Sequence, residues 1–81
     1  MARQAALAQF LRNTVLKDPR VTLDAQTPLV SSGLVDSLSL VKVLSFVEDA
    51  FGVVIPDEAA TAESMNTIGQ ILQLVDAFDE R

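Results

Sequence analysis

The side chains with the clearest chemical potential lie together in Gly33-Leu34-Val35-Asp36-Ser37-Leu38. A serine hydroxyl is a weak nucleophile and becomes a strong one only when a general base activates it. The chain contains no histidine and no cysteine, so the usual base and the thiol nucleophile are both missing. Catalysis by Asp36 and Ser37 alone is therefore disfavoured, and we expect a protein that is not an enzyme and has no catalytic residues.

Asp36 and Ser37 also have a purely structural interpretation, because Asp and Ser are favoured at helix N-termini. The apolar residues that follow recur at helical spacing: Leu40, Val43, Leu44, Val47 and Phe51. They predict a second helix that begins at Asp36 or Ser37 and ends at Gly52, which serves as its C-terminal cap. Gly33 suits a tight turn ahead of the helix, or is simply tolerated there. From Asp36-Ser37-Leu38 alone, helix capping is the favoured interpretation.

The segment before this helix contains one predicted helix and one long connection. An apolar face predicts the first helix from about Arg3 to Lys17: Leu7, Phe10, Leu11 and Val15. Asp18-Pro19 should stop it, since the residue before proline is pushed out of the helical region. The connection from Asp18 to Asp36 has no period, but apolar residues recur in it: Val21, Leu23, Leu29, Val30 and Leu34. We expect this loop to be anchored over the core.

The C-terminal part predicts two more helical elements. Val53-Val54-Ile55-Pro56 has no partner strand pattern and is interpreted as an extended bridge into a short helical turn at about Asp57–Ala62. Thr67-Ile68-Gly69-Gln70 predicts a capping box, and an apolar stripe follows it: Ile68, Ile71, Leu72, Val75 and Phe78. We therefore expect an all-α fold, a small four-helix bundle of three longer helices and one short one, with a long loop between the first and second helices.

Length and charge narrow the class of protein further. A chain of 81 residues has room for one core, so residues 1–81 are expected to form a single domain. The first 20 residues carry four basic side chains and one acidic one, a net charge of +3. Since the whole chain has a net charge of −5, residues 21–81 carry −8. That surface repels nucleic acid and attracts a basic partner. No targeting segment or membrane-spanning run is visible, and we expect a cytoplasmic monomer without a metal site.

Several blocks of the sequence resemble the acyl carrier protein family over residues from about 27 to 78. The blocks are Thr27-Pro28-Leu29, Ser32-Gly33-Leu34-Val35-Asp36-Ser37-Leu38, Phe51-Gly52-Val53-Val54-Ile55-Pro56-Asp57-Glu58 and Glu63-Ser64-Met65-Asn66-Thr67-Ile68. The resemblance implies that 4′-phosphopantetheine is attached covalently to Ser37, with Asp36 and Leu38 as the flanking motif. It implies a carrier that holds an acyl or aminoacyl group as a thioester. The partners would be a phosphopantetheinyl transferase and an adenylating acyl or aminoacyl ligase, synthase or acyltransferase.

A partner-binding surface is expected around the start of the second helix. Leu38 and Val41 lie off its core stripe, where they would contact enzymes or be partly covered by the long loop. The expected partner-binding residues are Leu38, Val41, Lys42, Ser45 and Ile55. The resemblance implies that Ile55 contacts the cargo or a partner. Burial of Ile55 in the core is the alternative.

The second helix departs from the pattern of carriers for fatty-acid synthesis, in which it is rich in acids. Here Ser39, Lys42 and Ser45 occupy its early solvent-side positions, and acids first occur at Glu48 and Asp49. This pattern favours dedicated partners in a specialised biosynthetic pathway. Two alternatives stay open: an acidic helical adapter that binds partners without modification, and a carrier of general fatty-acid synthesis.

Overall fold

The computed structural model describes residues 2–18, 20 and 22–79 and contains three helices. Helix α1 spans Ala2–Phe10 and continues as a π-helical segment over Leu11–Val15. Helix α2 spans Ser37–Phe51 and helix α3 spans Ile68–Phe78. None of the described residues forms a strand, so the all-α prediction is confirmed. Pro19, predicted to stop the first helix, and Val21, predicted to pack from the loop, lie outside the described residues.

The first helix changes its hydrogen-bond period at Leu11. The Leu16 N–H donates to the carbonyl of Leu11 at 2.7 Å, which spans five residues instead of the four of an α-helix. The predicted apolar face is retained, with Leu7 and Leu11 fully buried and Phe10 and Val15 partly buried. The extra residue in this turn widens the backbone where the first helix lies against α2.

One apolar core joins the three helices to both connecting segments. It is built from aliphatic side chains, as the low aromatic content predicts. The largest fully buried side chains come from every element and from both loops: Leu7, Leu11, Leu29, Val35, Val43, Val47, Val53, Met65, Ile68, Ile71 and Val75. Each removes an aliphatic side chain from water, which contributes about 1.5–3 kcal/mol per side chain before conformational entropy is subtracted.

Aromatic and ionic contacts outside this core fix the first helix against the other two. The rings of Phe10 and Phe46 stack with their centroids 4.3 Å apart, and Phe46 meets Phe51 edge to face at 5.6 Å. The Arg3 guanidinium lies 5.4 Å from the Phe51 ring centroid and donates to Asp79 at 2.8 Å. It also pairs with Asp76 at 3.3 Å, so the N-terminal turn of α1 is tied to the C-terminal turn of α3.

The short helix expected at Asp57–Ala62 is absent, and turns take its place. A single turn forms where the N–H groups of Ala59 and Ala60 donate to the carbonyl of Pro56. Thr61 and Ser64 then exchange side-chain and backbone hydrogen bonds, and the Ser64 hydroxyl donates to the Ala59 carbonyl at 2.6 Å. These local side-chain bonds compete with helix continuation, so the described residues form three helices and not four.

The long loop between α1 and α2 is anchored, as predicted. Leu23 and Leu29 are buried, and the Leu29 N–H donates to the carbonyl of Asn66 at 2.6 Å. The Asn66 side-chain oxygen accepts from the N–H groups of both Val30 and Ser31 at 2.9 Å. One residue just before α3 therefore holds the loop that leads into α2.

Candidate functional site

The start of α2 is shaped by Asp36, which is the N-cap residue in extended conformation. Its carboxylate accepts from the Ser39 N–H at 2.8 Å, and its carbonyl accepts from the Leu40 N–H at 3.0 Å. Among the described residues, the N–H groups of Ser37 and Leu38 find no protein acceptor. The helix therefore presents two free donors and the positive end of its dipole to solvent beside Ser37.

The Asp36 carboxylate is held in its ionised form. Hydrogen bonds from the Ser39 N–H and the Ser39 hydroxyl lower the pKa of Asp36 below its usual value of 3.8, and the nearby positive charge of Lys42 acts in the same direction. Asp36 is fully exposed, so its charge is also available to a partner in solution. The side chain thus caps the helix and presents a carboxylate next to Ser37.

The Ser37 hydroxyl is exposed and makes no hydrogen bond within the described residues. Capping, the structural alternative for this pair, is performed by Asp36 alone. The hydroxyls of Ser32 and Ser64, by contrast, donate to backbone carbonyls at 2.6 Å, and that of Ser31 accepts from Asn66 at 3.1 Å. Ser37 therefore combines exposure with a free hydroxyl at the beginning of a helix.

The chain immediately before Ser37 is held in place by a turn and one buried side chain. The Gly33 N–H donates to the Val30 carbonyl at 3.0 Å, and Gly33 has a φ of 83°. A Cβ there would meet nothing within 4 Å, so backbone conformation and not space favours glycine. Val35 is buried and its N–H donates to the Leu29 carbonyl at 3.0 Å. Ser37 is thus exposed on a rigid support.

The residues expected to bind partners separate into two groups. Leu38 and Val41 are 77% and 59% exposed, and Lys42 and Ser45 are exposed on the same helix. The loop does not cover Leu38. Ile55 is only 6% exposed and packs in the core, which is the alternative that the sequence left open for it. The structure brings the four α2 residues together on one surface near Ser37 and separates Ile55 from it.

Two further exposed apolar residues were not anticipated as surface residues. Val54 is 63% exposed, because the bridge is extended and alternates its side chains between the core and solvent. Leu34 is 41% exposed, although its apolar character suggested an anchor; Val35 takes the buried place instead. Neither the loop around Leu34 nor the uniformly apolar Val53-Val54-Ile55 has a sequence period from which the orientation of these side chains could be predicted.

Sequence reasoning also missed a groove beside the partner-binding residues. It has a volume of about 350 Å³ and lies between the first helix and α2: Phe10, Thr14, Val41, Lys42, Ser45, Phe46 and Asp49. The available signal was Phe46, a large aromatic residue that falls off the core stripe of α2. Within the described residues, no helix is long and apolar enough to cross a membrane, and no cluster of carboxylates could hold a metal ion.

Comparison with known proteins assigns this arrangement to a family. The family model for the phosphopantetheine attachment site matches residues 7–75. A chain in a solved structure described as "Crystal structure of FAD-dependent dehydrogenase" is similar, with 30% identity and a TM-score of 0.76. That similarity covers 85% of this chain and 97% of the other. No curated protein matches. Since the family model spans most of the sequence, the chain belongs to the phosphopantetheine attachment site family, whose members carry 4′-phosphopantetheine covalently on a serine.

Proposed function

We propose that Ser37 is the serine that carries 4′-phosphopantetheine, and that residues 1–81 act as one carrier domain for an acyl or aminoacyl group. The observation that carries the proposal is the free, exposed Ser37 hydroxyl at the first residue of α2. Ser45 is also exposed, but it lies in the middle of the same helix. The backbone N–H groups there are already paired, so Ser45 lacks the free donors that stand beside Ser37.

The residues around Ser37 suit the group that the family carries. A phosphodiester on Ser37 would stand beside the unpaired N–H groups of Ser37 and Leu38, where the helix dipole favours an anion. When bound, the arm supplies the terminal thiol that this cysteine-free chain lacks, and the thiol holds cargo as a thioester. The ionised carboxylate of Asp36 is available to a transferase and its metal ion during attachment.

The exposed face of α2 is proposed to bind the partner enzymes. Leu38 and Val41 provide apolar area next to Ser37, and exposed apolar residues grouped in this way are typical of contact sites. Lys42 and Ser45 add one positive charge and one neutral polar group. The partners are a phosphopantetheinyl transferase and the adenylating ligase, synthase or acyltransferase that loads or unloads the arm.

The charge pattern of this face supports a specialised pathway over general fatty-acid synthesis. The first two turns of α2 carry Lys42 and no acid, and the exposed acids Glu48 and Asp49 lie toward its C-terminal end. An enzyme whose basic patch reads acids along the first two turns of α2 would meet the positive charge of Lys42 there, with the Asp36 carboxylate only at the residue before the helix. Selective pairing with dedicated enzymes follows from that difference.

The similar solved chain supports one partner class in particular. The alignment covers nearly all of that chain but only 85% of this one, so that chain is shorter than 81 residues. Nearly all of that chain matches this all-helical fold, whereas a dinucleotide-binding fold is built from two βαβαβ halves and needs about 100 residues or more. The dehydrogenase of that description is therefore a different chain from the one that is similar to this protein. We therefore propose an FAD-dependent dehydrogenase among the partners of this protein. Such an enzyme would remove two hydrogen atoms from the cargo and reduce its own FAD to FADH2, so the loaded protein would lose the mass of two hydrogen atoms.

The test of Ser37 is attachment by a promiscuous phosphopantetheinyl transferase with coenzyme A, followed by intact mass. The unaltered protein should gain one phosphopantetheine, Ser37→Ala should gain none, and the control Ser31→Ala, at an exposed serine outside the partner-binding face of α2, should gain one. Failure of the unaltered protein to react, or a full reaction of Ser37→Ala, would overturn the proposal.

A second candidate, the unmodified adapter, rests on the exposed pair Leu38 and Val41, which could bind a partner without any arm. The two functions differ in their response to Ser37→Ala in the native pathway. Loss of pathway product with retained partner binding supports the carrier, whereas undiminished product formation supports the adapter.

A further inference from the structure

A groove lies between the first helix and α2, beside the residues proposed to bind partner enzymes. Its floor is aromatic, because the stacked rings of Phe10 and Phe46 lie side by side and both are only partly buried. Val41 extends the apolar surface, and polar groups from Thr14, Ser45 and Asp49 stand at its edges. The cavity of about 350 Å³ is therefore amphipathic, with room for a narrow chain that is part apolar and part amide.

A row of side chains on α2 leads from Ser37 into this groove. Val41, Ser45 and Asp49 follow Ser37 at intervals of four residues, and such residues form one continuous ridge on a helix surface. Asp49 lies twelve residues beyond Ser37, about 18 Å along the axis. The groove thus starts about one turn from Ser37 and runs along the helix away from it.

The charges around Ser37 distinguish this groove from the other nearby cavity. Lys42 is the one basic residue between residues 21 and 80, and it lines the groove. Its charge already acts on Asp36. The second cavity, of about 290 Å³, contains Glu63 together with Val30, Ser31, Ala62 and Asn66. Lys42 attracts an anionic group on Ser37 toward the first cavity, whose own acid, Asp49, lies about 18 Å along α2 from Ser37, whereas Glu63 in the second cavity repels it.

On the basis of the proposed function, we propose that the groove between the first helix and α2 is a resting site for the phosphopantetheine arm. Lys42 pairs with its phosphodiester, and Val41, Phe10 and Phe46 contact its geminal methyl groups. Thr14, Ser45 and Asp49 offer oxygen acceptors to its amide N–H groups. The arm leaves this site when a partner binds α2, because the partner covers the same Val41 and Lys42.

The length of the arm matches the groove. From the serine oxygen to the sulfur there are about 14 bonds, which at the extension of a polypeptide chain reach about 16 Å. Along α2, that distance passes Ser45 and ends close to Asp49. The thiol end would thus lie near the open end of the groove, where cargo extends into solvent.

The test compares the NMR spectra of isotope-labelled apo and holo protein, with full conversion verified by intact mass. We expect chemical-shift changes at Thr14, Val41 and Ser45, and nuclear Overhauser contacts between the arm methyl groups and the rings of Phe10 and Phe46. Contacts at Ala62 or Asn66 instead, or changes confined to the residues beside Ser37, would overturn the inference. A protein that gains no mass refutes the proposed function itself, so the two failures are distinguishable.

Matched variants distinguish binding of the arm in the groove from binding elsewhere on α2. Lys42→Glu should lose the contacts between the arm and the Phe rings, and Lys42→Arg should retain them. Ser45→Phe fills the groove and should also lose them, whereas Glu48→Phe, at an exposed position of the same helix outside the groove, should not. Unchanged α3 amide signals verify that each variant is folded. Contacts that persist in both Lys42→Glu and Ser45→Phe would contradict the site.

Discussion

Helices α2 and α3 begin with the same local device but in opposite surroundings. Asp36 accepts from the N–H three residues ahead at 2.8 Å, and Thr67 accepts from the Gln70 N–H at 3.1 Å. At α3 the first helical residue, Ile68, is fully buried. At α2 the first helical residue, Ser37, is exposed with a free hydroxyl. The same capping chemistry thus anchors one helix start and leaves the other accessible.

Contacts from the rest of the chain produce the difference. The start of α3 is tied to the long loop, since the Gly69 N–H donates to the Ala25 carbonyl at 2.9 Å and Asn66 holds Val30 and Ser31. A Cβ on Gly69 would approach the Ala25 oxygen to 3.0 Å, so the close approach favours glycine. No such contact covers Ser37 within the described residues. A helix start can leave a side chain accessible when the contacts that hold it lie on the preceding segment, here at the buried Val35.

The largest expected effect is on the free energy of unfolding. It compares the removal of an apolar side chain from the first turn of α3 with the same change in the first turn of α2. Ile68→Ala removes a fully buried side chain and should lower the free energy of unfolding by about 3 kcal/mol. Leu38→Ala removes an exposed one and should change it by less than about 0.5 kcal/mol. Urea denaturation followed by circular dichroism measures both. Similar losses in the two variants would contradict the contrast between an anchored and an accessible start.

A smaller effect is expected from Asn66, which holds the loop against the start of α3. Asn66→Ala leaves the N–H groups of Val30 and Ser31 without their side-chain acceptor and should cost about 1.5 kcal/mol of stability. Asn66→Asp keeps an oxygen acceptor for both and should cost less. Thermal unfolding compares the two variants. An Asn66→Ala protein as stable as the unaltered one would show that the loop is held by its apolar anchors alone.

The smallest expected effect is a difference in pH dependence between the two N-caps, Asp36 of α2 and Thr67 of α3. The lowered pKa of Asp36 means that its stabilising contribution is complete above 3.8 and is lost as the pH falls through the lower folded-state pKa. The Ser39 amide signal should therefore shift with a midpoint below pH 3.8. The Gln70 amide, bonded to the neutral Thr67 hydroxyl, should show no titration of its own cap. A Ser39 midpoint at or above 3.8 would refute the ionised cap.

Local features of this fold were predictable from the sequence. Both helix starts, the Gly52 cap and the apolar stripes follow from residue type and spacing, because capping and burial of a helix face act over a few residues. The capping box at Thr67 was also predicted, and its first bond is present, since the Thr67 hydroxyl accepts from the Gln70 N–H. Its reciprocal bond differs, since the Gln70 side chain accepts from Asn66 and not from Thr67.

Features that depend on distant contacts were not predictable in this way. Arg3 meets Asp76 and Asp79 more than 70 residues away, and nothing in the sequence pairs them. The π-helical turn at Leu11–Val15 and the stacking of Phe10 on Phe46 arise only when the helices pack. Thr14 of the π-helical segment and the stacked Phe10 and Phe46 line the groove. Sequence reasoning therefore selected Ser37 and its neighbours on α2 as candidates but missed the cavity beside them.

The most direct test of the account localises the modification within the protein. Trypsin cleaves after Arg20 and Lys42, so the fragment 21–42 contains Ser31, Ser32, Ser37 and Ser39, and the fragment 43–81 contains Ser45 and Ser64. Tandem mass spectrometry of the holo protein should place one phosphopantetheine in fragment 21–42, on Ser37. A phosphopantetheine on any other serine, or none on the protein after reaction with an active transferase, would contradict the account.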